Sequence, residues 1–113
     1  MKIAISATGD QWDAAVDTRF GRAKGFFVID TETEETSYID NTSNLEASHG
    51  AGTSSSQMII NKGIQAVITE AVGPKAGQVL RSGNITVYTG VGTSTIKEAY
   101  EKFKNGELKK QAL

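Results

Sequence analysis

Apolar residues recur along the chain with a helical period in three places and gather into short dense runs in five others. Ile96, Ala99, Tyr100 and Phe103 fall at i, i+3, i+4 and i+7, which draws one apolar stripe along a helix. Thr95 and Glu98 have the spacing of a capping box at its start, and Gly106 suits its end. Ala76, Val79 and Leu80 form a shorter stripe, with Pro74 in its first turn and Gly83 as its stop. A third helix is expected over residues 54–62, with Met58 and Ile59 facing inward, hydroxyl side chains at 53–56 to cap it and Gly63 to end it. The runs at 2–7, 25–31, 35–41, 65–69 and 84–89 read as strands. A polar turn at 32–34 joins the second and third as a hairpin.

The resulting order is β-β-β-α-β-α-β-α. Three consecutive strands predict a meander in which strands one and three are parallel and strand two antiparallel. The later alternation of strand and helix predicts right-handed parallel crossovers. The expectation is therefore an α/β fold: a three-layer α/β/α domain with a mixed five-stranded sheet, close to the ribonuclease H topology. One domain covers residues 1–106, and the charged tail at 107–113 is expected to fray.

Composition narrows the chemistry. A chain of 113 residues buries a sizeable core as one domain. It contains no cysteine, which excludes disulfides, zinc ribbons and thiol catalysis. The sole histidine is His49, so a metal cage made by protein alone would rest mainly on carboxylates. A net charge of −1 gives no reason to expect nucleic acid or a membrane surface as partner. No run approaches the roughly 20 apolar residues of a membrane span. The N-terminal run is too short for a signal peptide, so the cytoplasm is the expected location. Without a secretory route the sequons Asn41-Thr42-Ser43 and Asn84-Ile85-Thr86 carry no meaning.

Ligands of open α/β sheets sit beyond the carboxyl ends of the parallel strands. The loops at 8–24, 42–52, 70–74 and 90–94 should meet there, and three of them open helices. Three helix N-termini would then aim N–H groups at one anion-favouring region. Gly50, Gly52, Gly73 and Gly92 let a ligand approach the backbone, and Arg19, Arg22 and Lys24 add positive charge. Sharper motifs fail. The glycine-rich stretch at 50–56 lacks the P-loop lysine, and the one at 90–95 lacks the third glycine of a dinucleotide fingerprint. The first strand carries Ser6 where a ribonuclease H-like nuclease would want a carboxylate for magnesium. Asp10, Asp13 and Asp17 read as solvated surface. Glu70 is the best-placed candidate base, with nothing beside it that identifies a reaction.

A family resemblance rests on particular segments. Lys2-Ile3-Ala4-Ile5, then Asp17-Thr18-Arg19-Phe20-Gly21-Arg22-Ala23, then Phe26 and Phe27, resemble the opening of the nitrogenase iron–molybdenum cofactor accessory proteins, the NifX-like and NifB C-terminal domain-like family. His49-Gly50-Ala51-Gly52, residues 63–68, Gly73-Pro74-Lys75-Ala76, Leu80 and residues 83–87 extend the likeness over nearly the whole chain.

The resemblance implies a ribonuclease H-like fold and a non-enzymatic role in nitrogen fixation: binding or carrying iron–molybdenum cofactor or an iron–sulfur precursor cluster. It implies cofactor-assembly proteins as partners, and a monomer or weak oligomer is expected. Carried over by position, Arg19 and Arg22 become anion clamps, Phe20 a packing anchor and Gly21 a tight-turn residue. His49 becomes a cluster contact and the one metal ligand, while Gly50, Gly52, Gly73 and Gly92 open the backbone. Family members often have histidine at the position of Arg19, and an arginine there can pair with an anionic cluster. The alternative is a small regulatory or adaptor domain that binds an oxyanion or a partner protein at the same edge.

Overall fold

Side chains alternate across a strand, and this alternation splits the core into two halves. In the computed structural model, which describes residues 1–45 and 51–113, strand β1 (Lys2–Ala7) lies in the middle of the sheet. It sends Ile3, Ile5 and Ala7 to one face and Ala4 to the other. Strand β2 (Gly25–Asp30) does the same, with Phe27 and Ile29 on the first face and Phe26 and Val28 on the second. These two strands pair antiparallel, Ile3 opposite Ile29 and Ile5 opposite Phe27. Strand β3 (Thr36–Asp40) pairs antiparallel with β2 and forms one edge, largely exposed.

On the other side of β1, strands β4 (Ala66–Ile68) and β5 (Thr86–Thr89) follow in parallel. The strand order is β3-β2-β1-β4-β5-β6, the sixth being β6 (Lys109–Lys110). Helices α2 (Ala51–Asn61) and α3 (Pro74–Ser82) cover one face, burying Ile59, Ala76 and Leu80 against Ala4, Phe26 and Val67. Helix α4 (Ile96–Lys104) covers the other, with Ile96, Ala99 and Tyr100 against Ile3, Ile5 and Phe27. A single turn, α1 (Thr42–Leu45), precedes α2. The three-layer α/β/α arrangement with a mixed sheet agrees with the sequence reading, including the parallel relation of β1 and β3.

Three expectations need correction. The sheet has six strands rather than five, and the charged tail does not fray over its whole length. Lys110 pairs with Tyr88 and Lys109 with Thr89, and the Gln111 N–H donates to the Val87 carbonyl at 2.8 Å. Composition reports side chains, and the side chains of Lys109 and Lys110 are indeed exposed. The backbone has its own requirement: the outer edge of β5 offers N–H and C=O groups that the tail satisfies. Helix α2 also starts earlier than expected, at Ala51. No helix among the described residues is long and apolar enough to cross a membrane.

Candidate anion-binding cleft

The long loop after β1 is fastened before it reaches the site. The Ser6 hydroxyl, fully buried, lies 2.6 Å from the Asp17 carbonyl and 2.7 Å from the Thr69 hydroxyl. The Asp17 N–H donates to the Ser6 carbonyl at 2.8 Å. Two further bonds stitch this loop to the one after β4: Ala71 N–H to the Thr18 carbonyl at 3.1 Å, and Phe20 N–H to the Ala71 carbonyl at 3.3 Å. The chain then makes a 3-10 turn over Phe20–Arg22. Phe20 is 1% exposed and its ring packs against that of Phe26, centroids 5.2 Å apart.

Asn41 holds the same region from behind. It is fully buried at the end of β3, and its side-chain amide donates to the Ala23 carbonyl at 2.9 Å. Its side-chain oxygen accepts from Asn44 at 2.7 Å and from the Ser55 hydroxyl at 3.0 Å. One side chain therefore links the 3-10 turn, α1 and α2. Sequence reasoning missed this role and noted Asn41 only as the end of the third strand and within a sequon. Its burial leaves no access for a glycan.

Helices α2 and α3 approach closely in front of this frame. A Cβ on Gly52 would lie 3.1 Å from the Ala76 Cβ, tighter than ordinary van der Waals contact. The Ser56 hydroxyl lies 2.7 Å from the Gly52 carbonyl and 3.2 Å from the Ala76 carbonyl, clamping one helix to the other. Helix α3 begins on Gly73, whose extended backbone (φ −70°, ψ 164°) leads into Pro74. Glycine has no side chain to cap the first turn, no acidic residue occupies that turn, and among the described residues no acceptor is bonded to the Lys75 or Ala76 N–H at this positive end of the helix dipole.

The result is a cleft of about 520 Å³ between the 3-10 turn and the starts of α2 and α3. Phe20, Gly21 and Arg22 line one side, Gly52 and Thr53 the second, and residues 73–76 the third. The volume lies within the roughly 300–1,000 Å³ common for small-molecule sites. Arg22 and Lys75 bring positive charge, and among the described residues neither forms an ion pair.

Of the expected site residues, the structure gathers Phe20, Gly21, Arg22, Gly52 and Gly73 here, and adds Thr53, Lys75 and Ala76. Arg19 does not line the cleft. Its side chain is 70% exposed and lies beside Asp17, Nε to Oδ1 3.6 Å, while its N–H donates to the same carboxylate at 2.9 Å. Asp17 is accordingly buried, not the solvated surface residue expected, because its carboxylate closes this local turn. Gly92 is also elsewhere. It precedes α4 on the opposite face, and its N–H donates to the Glu70 carboxylate at 2.8 Å. Glu70 is thereby a loop tie. His49 and Gly50 lie outside the described residues. Among the described residues no three His, Cys, Asp or Glu side chains are grouped to hold a metal ion.

The fold and the cleft together define a small ribonuclease H-like α/β/α domain, with Ser6 in place of a strand-one carboxylate and a cleft at the carboxyl edge of the sheet bordered by Arg22 and Lys75. Residues 1–106 match the family described as Dinitrogenase iron-molybdenum cofactor, and the chain belongs to that family. Solved relatives share the whole domain. The apo form of the orange protein from Desulfovibrio gigas is 38% identical, with a TM-score of 0.95 over 98% of this chain and 92% of that one. A candidate NifB protein from Thermotoga, solved by NMR, is 30% identical, with a TM-score of 0.85 over 96% and 91% of the two chains. An uncharacterized protein of Methanocaldococcus jannaschii is 34% identical over 97% of this chain and 91% of its own length.

Proposed function

We propose that this chain is a non-enzymatic accessory protein that binds and carries an anionic metal–sulfur cofactor, iron–molybdenum cofactor or an iron–sulfur precursor, in the cleft between the 3-10 turn, α2 and α3. One observation supports this above the others. Two helix starts and two cations, Arg22 and Lys75, border a single cleft of suitable size. The donors are N–H groups and ammonium or guanidinium groups, which suit the outer face of a preformed anionic cluster through charge-assisted hydrogen bonds. Nothing in the cleft resembles a thiolate ligand set, so the cluster arrives assembled and leaves assembled. Cofactor-assembly proteins are the natural donors and recipients, and the family supports that choice.

The same donor set favours a second reading, an adaptor domain whose ligand is a simple oxyanion. Anaerobic titration with isolated cofactor precursor separates the two. A spectral change with co-elution, weakened about tenfold or more by Arg22→Ala with Lys75→Ala, supports the carrier. His49→Ala and Arg19→Ala test the remaining contacts that the family likeness assigns. Absence of any spectral change or co-elution refutes the carrier. Melting curves in phosphate and molybdate then test the oxyanion reading. A ligand at 100 times its dissociation constant adds about 2.7 kcal/mol, whereas flat curves leave a protein partner.

A further inference from the structure

The tail that was expected to fray crosses from β5 to the back of the cleft wall. After Lys110, Gln111 continues the pairing with β5 through its N–H. Its side-chain amide turns the other way and donates to the Val72 carbonyl at 3.4 Å. Val72 directly precedes the Gly73–Pro74 start of α3. Two residues further on, Leu113 packs on α3 where Gly77 leaves room: a Cβ there would sit 3.4 Å from its methyl carbon. Arg81, one helical turn beyond, donates to the Leu113 carbonyl at 3.4 Å. Helix α3 is thus held on one side by α2, through Gly52 and Ser56, and on the other by this strap.

From these contacts we infer that Gln111 and Leu113 are positioning residues for the cleft. The strap clasps the 70–74 loop and α3, and so fixes the position of the α3 start that carries the Lys75 and Ala76 N–H groups. Neither residue lines the cleft, whose lining among the described residues is 20–22, 52–53 and 73–76. The strap is held by a two-residue strand, the Gln111 N–H to Val87 carbonyl bond, two long side-chain hydrogen bonds and one half-buried leucine. Contacts of this kind open far more readily than a core strand. Release of the strap therefore loosens one wall of the cleft while the sheet stays intact, a handle by which a partner that engages the tail lowers retention of the cargo. The inference rests on the cleft being the binding site proposed above.

Amide hydrogen exchange tests the clasp without any ligand. In the Gln111→Ala/Leu113→Ala double variant, the hydrogen-bonded amides of the clasped segment, Ala71 (to the Thr18 carbonyl) and Gly77 (to the Gly73 carbonyl), should exchange about tenfold faster, with Ile96 and Lys97 unchanged. Leu113→Met with Gln111 retained should restore most of the protection. Unchanged exchange at Ala71 and Gly77, or an equal rise throughout the protein, overturns the clasp. Molybdate titration of the same proteins tests what the clasp serves. Where the native chain binds molybdate, the double variant should bind about tenfold more weakly at an unchanged melting midpoint of the sheet. Equal affinity overturns the positioning role. If the native chain binds neither molybdate nor cofactor precursor, the functional reading fails, and the exchange result still decides the clasp.

Discussion

Helices α3 and α4 each begin just past a central strand, at the same edge of the sheet, yet their first turns are finished in opposite ways. On α4 the chain closes everything. The Ile96 N–H donates to the Ala14 carbonyl at 2.9 Å and the Lys97 N–H to the Trp12 carbonyl at 3.0 Å. The Glu98 N–H donates to the Thr95 hydroxyl, and the Glu98 carboxylate returns the bond to the Thr95 N–H, a complete capping box. The Glu98 charge also compensates the helix dipole. On α3 a glycine and a proline stand where caps would be, and the first turn carries no acid. A helix N-terminus attracts anions only where the protein has not already answered it. The expectation of three converging helix starts failed for this reason and for a topological one: α4 lies on the opposite face from α2 and α3.

The largest expected effect breaks the open side from beneath. Phe20→Ala removes a fully buried ring that supports the 3-10 turn, and should cost about 3–5 kcal/mol of stability by chemical denaturation. Phe20→Leu keeps most of the volume and should cost under about 1.5 kcal/mol with the cleft intact. A loss under about 1 kcal/mol for the alanine variant would mean that the turn does not depend on its anchor.

Much of this contrast was legible beforehand. The capping box of α4, Pro74 at the start of α3 and the five main strands all follow from local patterns that local physics decides. Arg22, Gly52 and Gly73 were placed at this edge because loops after parallel strands converge, and Phe20 and Gly21 were added by the family likeness; all five line the cleft. The tie made by Asn41 was missed and Asp17 was misread as surface because their roles depend on pairings between loops far apart in sequence, and the position of Arg19 beside Asp17, away from the cleft, follows from that same local turn. The Asn41 partners span residues 23 to 55, and no periodicity encodes that reach. Gly92 was assigned to the cleft because a glycine in a loop looks the same whether or not a carboxylate has taken its N–H. The tail was misjudged because its charged side chains hid a backbone that pairs.

A smaller effect sharpens the comparison on the closed side. Glu70→Ala frees the Gly92 N–H while leaving the Ile96 and Lys97 donors in place. The variant should lose about 0.5–1.5 kcal/mol, as expected for one hydrogen bond near the surface. It should gain no anion binding at α4, read as amide shifts of Gly92, Ile96 and Lys97 on addition of phosphate. Phosphate shifts at Ile96 and Lys97 as large as those at Lys75 and Ala76 would show that both helix starts are equally available.

The smallest effect concerns acid. The Glu98 carboxyl accepts hydrogen bonds from the Thr95 N–H and hydroxyl, and the N–H bond most of all holds it below its ordinary value of 4.5. A lowered folded value means that the cap contributes stability above pH 4.5, and that this contribution is lost as pH falls through the folded value. Asp30 and Asp40 are lowered in the same sense by the N–H groups of Glu32 and Thr42, so the wild-type acid slope is shared among several caps. The difference between wild type and Glu98→Gln isolates α4, because glutamine keeps the cap geometry without titrating. Melting temperatures of the two proteins should converge on acidification through that window, and the Thr95 and Glu98 amide shifts should titrate only in the wild type. The Lys75 and Ala76 amides, with no carboxylate in their turn, should stay fixed. Movement of those amides over the same range would place an acid beside the open cleft, and the contrast between the two helix starts would be lost.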